Sequence, residues 1–379
     1  MTTRKRKEPE AECVPVPLSR PPPGHFDCCI IGSGVSTGVP MMNHILQGAC
    51  PNKEYGYRKS DGVAVCVDAC RPDSKNARSN VSILVRFTPS GGETGSESYV
   101  VMVDAGKTMR PACMRALPRL GVSTVDALLL THDHADAIFG LDDLRDLQQQ
   151  SEVTDPETGK LIGYRVAGAG RMRIISNKKT LRIARNAFPY LAKPADYVGD
   201  TGLLRRRVAS FEWEQLPHDN ASLNLNGLPV RCFPVFHGGE YVSLGFAFGK
   251  DEKMHPLVYI SDVKAVPAET LAWLAQKPID VLVVDMLRRS DHTTHFSFDE
   301  AVAFVRELRP RRALFVGMAS CEIGDHDEVN AELAEISRSE GLATDMQLAY
   351  DGLCLPPMPT APPEPDEWRG CEPCAPEGY

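Results

Sequence analysis

Two observations make this 379-residue chain an α/β layered protein. Short apolar runs of strand length alternate with stretches of helical periodicity along most of its length. Several of those runs stop abruptly at a histidine or an aspartate.

Phe26–Ile31 is the first predicted strand. It runs into Gly32-Ser33-Gly34-Val35-Ser36-Thr37-Gly38-Val39-Pro40, which misses the Gly-x-Gly-x-x-Gly spacing by one residue. Pro40 argues against an immediate long helix, so the stretch reads as a loop needing close backbone approach. Residues 41–79 read as irregular. Strands follow at 80–87 and 98–103, then a helix from about Pro111, and a strand at 125–130. Ile138, Leu141, Leu144 and Leu147 predict a helix over 138–149. The polar, glycine-rich residues 150–170 predict an exposed loop. Beyond them come a strand at 171–176, a helix at 178–190, and strands near 211 and at 229–236, 243–248, 257–260 and 281–285. Ser297 and Glu300 have capping-box spacing at the head of a helix reaching 308. A strand at 313–316 and a helix at 328–339 complete the pattern. Residues 1–24 and 356–379 are rich in charge and proline and predict disorder around a domain at 25–355. No internal repeat is evident.

Composition narrows the function classes. The 42% hydrophobic and 24% charged residues are ordinary for a globular chain, and the formal charge of -8 disfavours general nucleic-acid binding. No apolar run approaches the roughly 18 residues of a membrane span. The charged N-terminus lacks a secretory apolar core, so a cytoplasmic location is expected, with Arg4-Lys5-Arg6 as the one hint of a nuclear address. Twelve scattered cysteines suit free thiols or metal sites better than a disulfide framework.

The chemistry gathers at strand ends. Leu128–Leu130 stops at Thr131-His132-Asp133-His134-Ala135-Asp136-Ala137, where His132 and His134 share a face if extended geometry persists. Imidazoles with a carboxylate nearby suit a borderline-soft divalent ion. Three other runs end likewise, at Asp104, His237 and Asp262. A single strand-end residue is more often a cap than a ligand, but four in order form a constellation.

That order (Asp104; His132-x-His134-x-Asp136; His237; Asp262) resembles the metallo-β-lactamase superfamily of metal-dependent hydrolases. Over residues 26–355 it looks most like the branch typified by the phosphoribosyl cyclic-phosphate phosphodiesterase of bacterial phosphonate breakdown. Gly32–Pro40, Gly140–Arg145 and Thr294-His295-Phe296-Ser297 carry the narrower likeness. The resemblance implies a four-layer αββα sandwich with the site on one edge. It implies His132, His134, His237 and Asp262 around a first metal, zinc or manganese, and Asp136 at a second. Asp104 would orient a ligand from behind. His295, with Asp136 and Asp262 at the reacting centre, would serve the leaving oxygen, and His292 competes for that role. The implied partner is a small phosphodiester, cyclic or nucleotide-like. Hydrolysis of another ester or thioester is the first rival, and a catalytically weak binding protein the second.

The chain departs from the pattern at Ala137 and Met318, where the family places histidines serving the second metal. One firm and one weak metal are therefore expected. The branch also implies a structural zinc, here on Cys50, Cys66, Cys70 and Cys321, with His326 in reserve. Cys371-x-x-Cys374 lies in the tail and reads as plain disorder. Arg145 is a candidate phosphate contact, although Asp142, Asp143 and Asp146 are equally available to pair it.

Overall fold

The computed structural model describes residues 18–46, 58–91, 97–166, 171–192, 198, 201–362 and 372–373. The strands in chain order are β1 His25–Gly32, β2 Ser82–Thr88, β3 Tyr99–Val103, β4 Ala127–Leu129, β5 Gln150–Thr154 and β6 Leu161–Val166. Next come β7 Met172–Ser176, β8 Phe211–Gln215, β9 Ser222–Leu225, β10 Leu228–Phe236, β11 Val242–Phe248 and β12 His255–Ile260. The last are β13 Ile279–Asp285, β14 Arg312–Val316, β15 Asp345–Leu348, β16 Met358–Pro359 and β17 Glu372–Pro373. One sheet has the order β16-β1-β2-β3-β4-β7-β8-β17, and the other β15-β14-β13-β12-β11-β10-β9. The helices that matter most are α1 Met42–Leu46, α2 Val65–Asp68, α3 Met109–Leu120, α4 Ala135–Ile138, α5 Lys178–Ala187, α6 Pro189–Ala192, α7 Ala268–Leu274, α8 Phe298–Leu308, α9 Ser320–Ile323 and α10 His326–Ser339.

Strand periodicity distributes the apolar side chains into three layers of core. Phe26, Cys28 and Ile30 of β1 meet Leu257 and Tyr259 of β12 between the sheets. The alternate residues Cys29 and Ile31 face α3, and Val258 and Ile260 pack with residues of α8 and α10. Strands buried on both faces read as continuous apolar runs, which is why they were legible. The result is the αββα sandwich expected.

Local rules hold where they were read. Ser297 caps α8 in a full capping box with Glu300. Ser297→Ala should cost about 1 kcal/mol of stability, measured by denaturant unfolding. The glycine-rich loop does need close approach: a Cβ on Gly32 would overlap the carbonyl of Asn80.

The structure differs from the expected elements in several places. Residues 150–170 contain the hairpin β5–β6 rather than an open loop. The expected helix at 138–149 is the single turn α4 followed by a 3-10 helix at Leu141–Leu147. Residues 41–79 include the short helices α1 and α2. The strands β9 and β15 and the helix α7 were not foreseen. Of the segments expected to be disordered, Leu18 bonds to the Arg119 carbonyl at 2.7 Å and β16 pairs with β1.

A buried ion pair ties β1 to β2. Arg86 donates through Nε and Nη2 to Asp27 at 3.0 and 2.5 Å, with both side chains nearly enclosed.

Candidate metal centre

The expected histidine ligands and Asp262 follow the C-terminal ends of strands, and the sandwich brings those ends to one edge. β4 delivers His132 and His134, with His134 as the N-cap residue of α4, which carries Asp136. β10 delivers His237 and β12 delivers Asp262. The ring centroids of His132, His134 and His237 lie 4.7–5.3 Å apart. Ligand atoms of those three residues converge, as do those of His132, Asp136 and Asp262, and those of Asp262, Asp285 and His295. His134 is exposed while His132 and His237 are buried, so the cluster opens toward solvent on the His134 side.

Behind the cluster, Asp104 holds the histidine loop in place. Its carboxylate accepts the Thr131 backbone N–H at 2.8 Å and the Thr131 hydroxyl at 2.7 Å, and that hydroxyl oxygen lies 2.8 Å from His132 Nδ1. Asp104 and Asp262 both adopt positive φ, 59° and 47°, a region sparsely used by non-glycine residues. Such strain at two strand ends is a mark of functional positioning. Gly106 allows the Asp104 and His132 loops to touch, since a Cβ there would overlap the Asp136 carbonyl.

The electrostatics of these groups are unbalanced. Burial, and then His237 and His134, push the His132 pKa well below its ordinary value. Burial, and then the charge of Asp262, push Asp136 up to about 6. Burial also raises Asp262 and Asp104. His295 goes the other way: burial opposes its charge, but Asp285 and Asp262 outweigh this and raise it to about 9. His132 Nε2 is buried without a hydrogen-bond partner, and so is Asp285 Oδ1. Orphaned imidazole nitrogen beside crowded carboxylates is the donor set a divalent cation satisfies. The residues present therefore fit a metal.

His295 is the better placed of the two late histidines. Its Nδ1 lies 2.8 Å from Asp285 Oδ2 and 3.6 Å from Asp262 Oδ1, and its ring is 4.7 Å from that of His237. His292 stands one ring further out, 5.3 Å from His295, with Nδ1 accepting from Thr294.

The sequence reading missed several members. Asp285 ends β13 just as Asp262 ends β12, and that repetition was the available signal. Tyr241 lies over His134 with ring centroids 5.0 Å apart and donates its hydroxyl to Asp133. Lys179, at the start of α5, sits 3.6 Å above the Tyr241 ring and 3.3 Å from Asp133. Nothing local in the sequence joins these three. The backbone carbonyl of Thr294 lies 2.8 Å from His237 Nδ1 and orients that ring.

Ala137 and Met318 supply no donor, and each is packed into an apolar cluster. Arg145 is held by Asp142, whose carboxylate also accepts from Tyr190, so its charge is already engaged. This pairing is one of the alternatives the sequence leaves open for Arg145.

The fold brings two of the four cysteines proposed for a structural site together. Cys66 of α2 and Cys321 of α9 pair through their sulfurs, with Cα atoms 6.2 Å apart. His44 of α1 completes a buried group of three, its Nδ1 3.3 and 3.1 Å from the two sulfurs. Cys70 is corrected out of the set: it is exposed, and its thiol bonds to the Cys66 carbonyl. Cys50, Cys371 and Cys374 lie outside the described residues. If these residues hold a structural zinc, Cys66→Ser should release it and Cys70→Ser should not, as read by metal analysis.

His326 is also not a ligand there, since it meets Arg78 at 3.3 Å and Asn330 at 3.1 Å. Burial and then Arg78 depress its pKa to about 3. A depressed histidine stabilises above its unfolded pKa of about 6.5, and that stability is lost as pH falls toward 3. His326→Gln should therefore flatten the fall in unfolding free energy measured from pH 7 to 4.

Residues 99–318 match the model of a family described as the Beta-lactamase superfamily domain. A solved structure described as a new diphosphatase from the PhnP family is 25% identical with a TM-score of 0.59, covering 91% of this chain and 99% of that one. Zn(2+)-bound PqqB from Methylobacterium extorquens is 17% identical with a TM-score of 0.55, covering 87% of this chain and 99% of that one. Among curated proteins, an octanoyltransferase of Porphyromonas gingivalis is 23% identical over 327 residues, 86% of this chain and 50% of that protein. The chain thus spans about half the length of the curated relative it matches.

Proposed function

Because the chain belongs to the beta-lactamase superfamily, we propose that it is a metal-dependent hydrolase of a small phosphodiester, cyclic or nucleotide-like. The observation that carries this reading is the convergence of His132, His134, His237, Asp136 and Asp262 beside the His295–Asp285 pair. The 25% likeness to a PhnP-family diphosphatase supports phosphorus as the element attacked.

His132, His134, His237 and Asp262 would hold the first metal, and Asp136 with Asp262 a weaker second. A bound divalent ion supplies Lewis acidity to a phosphoryl oxygen and acidifies water. The chain's own contribution is positional. Asp104, through Thr131, fixes the His132 ring, and the Thr294 carbonyl fixes that of His237. Asp285 holds the His295 ring with Nε2 left to give a proton to the departing oxygen. Tyr241 and Lys179 close the flank beside His134, where a cation also favours an anionic substrate.

A panel of cyclic phosphates, bis-aryl phosphates and thioesters, with zinc or manganese supplied, tests the reading. Turnover confined to the phosphodiesters is expected. Preference for thioesters would move the protein to another ester class, and no turnover would favour a binding role.

A further inference from the structure

The far edge of the second sheet carries a separate cavity. β10 and β12 run in the same direction, so their C-terminal ends bear His237 and Asp262 while Arg231 and His255 lie near their N-terminal ends. Seven residues of extended chain from His255 to Asp262 span roughly 20 Å. The turn between β11 and β12 and the crossover from α7 to β13 return to that same far edge. They enclose about 230 Å³, lined by Arg231, Lys250, Lys277, His255, Trp273 and Asn224.

We infer that this cavity is a binding site for a small phosphomonoester dianion, distinct from the metal centre. Its lining is built and cationic. His255 is 7% exposed, and its Nε2 is buried with no hydrogen-bond partner. Its ring is fixed against Trp273 at a centroid distance of 4.5 Å. Arg231 lies 4.4 Å over the Trp273 ring, and its Nε and Nη2 go to the neutral side-chain oxygen of Asn220. Lys277 donates to the backbone carbonyl of Asp251 at 2.8 Å, again a neutral acceptor. Asp251, the one carboxylate among the described lining residues, turns an oxygen to the backbone N–H groups of Lys253 and Met254. Among the described lining residues, Arg231 and Lys277 thus meet neutral acceptors, and one oxygen of Asp251 serves its own turn. Burial, then Lys277 and Arg231, lower the His255 pKa, as expected of a histidine facing excess positive charge. An anion meets these demands, because it accepts from guanidinium and ammonium groups. The volume exceeds that of a lone phosphate and leaves room for a small organic body alongside Trp273.

Calorimetric titration of the metal-loaded protein with inorganic phosphate and with ribose 5-phosphate tests the site, with Trp273 fluorescence followed in parallel. The ester should bind more tightly than phosphate, and both should change an emission signal that Trp273→Phe removes. Arg231→Gln and Lys277→Gln should each weaken this event about 10- to 100-fold while phosphodiester turnover is unchanged. Having two variants guards against one that merely disturbs Trp273. The inference is overturned if both variants bind like the wild type, if phosphate binds and the ester does not, or if chloride at equal ionic strength gives the same response.

Discussion

Asp262→Asn is expected to abolish phosphodiester hydrolysis and release the active-site metal. Asp262 belongs to two of the three converging groups and lies 3.4 Å from the buried His132 Nε2. Removing even an outer partner of a metal ligand costs about 10- to 100-fold in affinity or activity, and loss of a ligand should cost more. The same substitution should behave oppositely in metal-stripped protein. There Asp262 is one of four buried or half-buried carboxylates, with Asp104, Asp136 and Asp285, that crowd the edge around the charged His295. Neutralising one relieves repulsion and desolvation. The stripped variant should melt at or above the stripped wild type, and added metal should raise the melting temperature of the wild type alone. A variant that keeps both metal and activity would remove Asp262 from the centre.

His295→Ala should lower kcat by about 10²- to 10⁴-fold, the range of a positioned proton donor, with metal content retained. Its ring is held on Asp285 at 2.8 Å, within reach of the cluster but braced from behind. The control is His292→Ala, one ring further out, which should change kcat by much less. Equal losses in the two variants would mean that the loop as a whole, and not His295, sets the rate. Loss of metal from His295→Ala would make it a ligand.

The sequence carried the architecture wherever burial left a pattern. β1, β2, β12 and β13 are buried on both faces and stood out as largely apolar runs. The hairpin β5–β6 did not, because it is largely exposed and carries no apolar alternation. The short strands β9 and β15 offer only two buried positions each. In the 3-10 segment after α4, Gly140 interrupts a period that would otherwise have read as one helix. The site divides in the same way. His132, His134 and Asp136 are adjacent and strand-ended, so their chemistry was visible locally. Tyr241 meets Asp133 across 108 positions and His44 meets Cys321 across 277, and only the folded sandwich creates those pairs. Arg145 was legible in the same local way, since its neighbour Asp142 was an available partner in the sequence and holds it in the fold.

The proposed hydrolysis is tested most directly by titrating zinc or manganese into metal-stripped protein while following turnover of a cyclic phosphodiester and counting bound metal. Ala137 and Met318 offer no donor, so activity should rise with the first active-site equivalent, and a second ion should bind weakly. Turnover that persists without metal, or none at any metal content, would contradict the assignment. Two tightly bound active-site ions would contradict the single firm site.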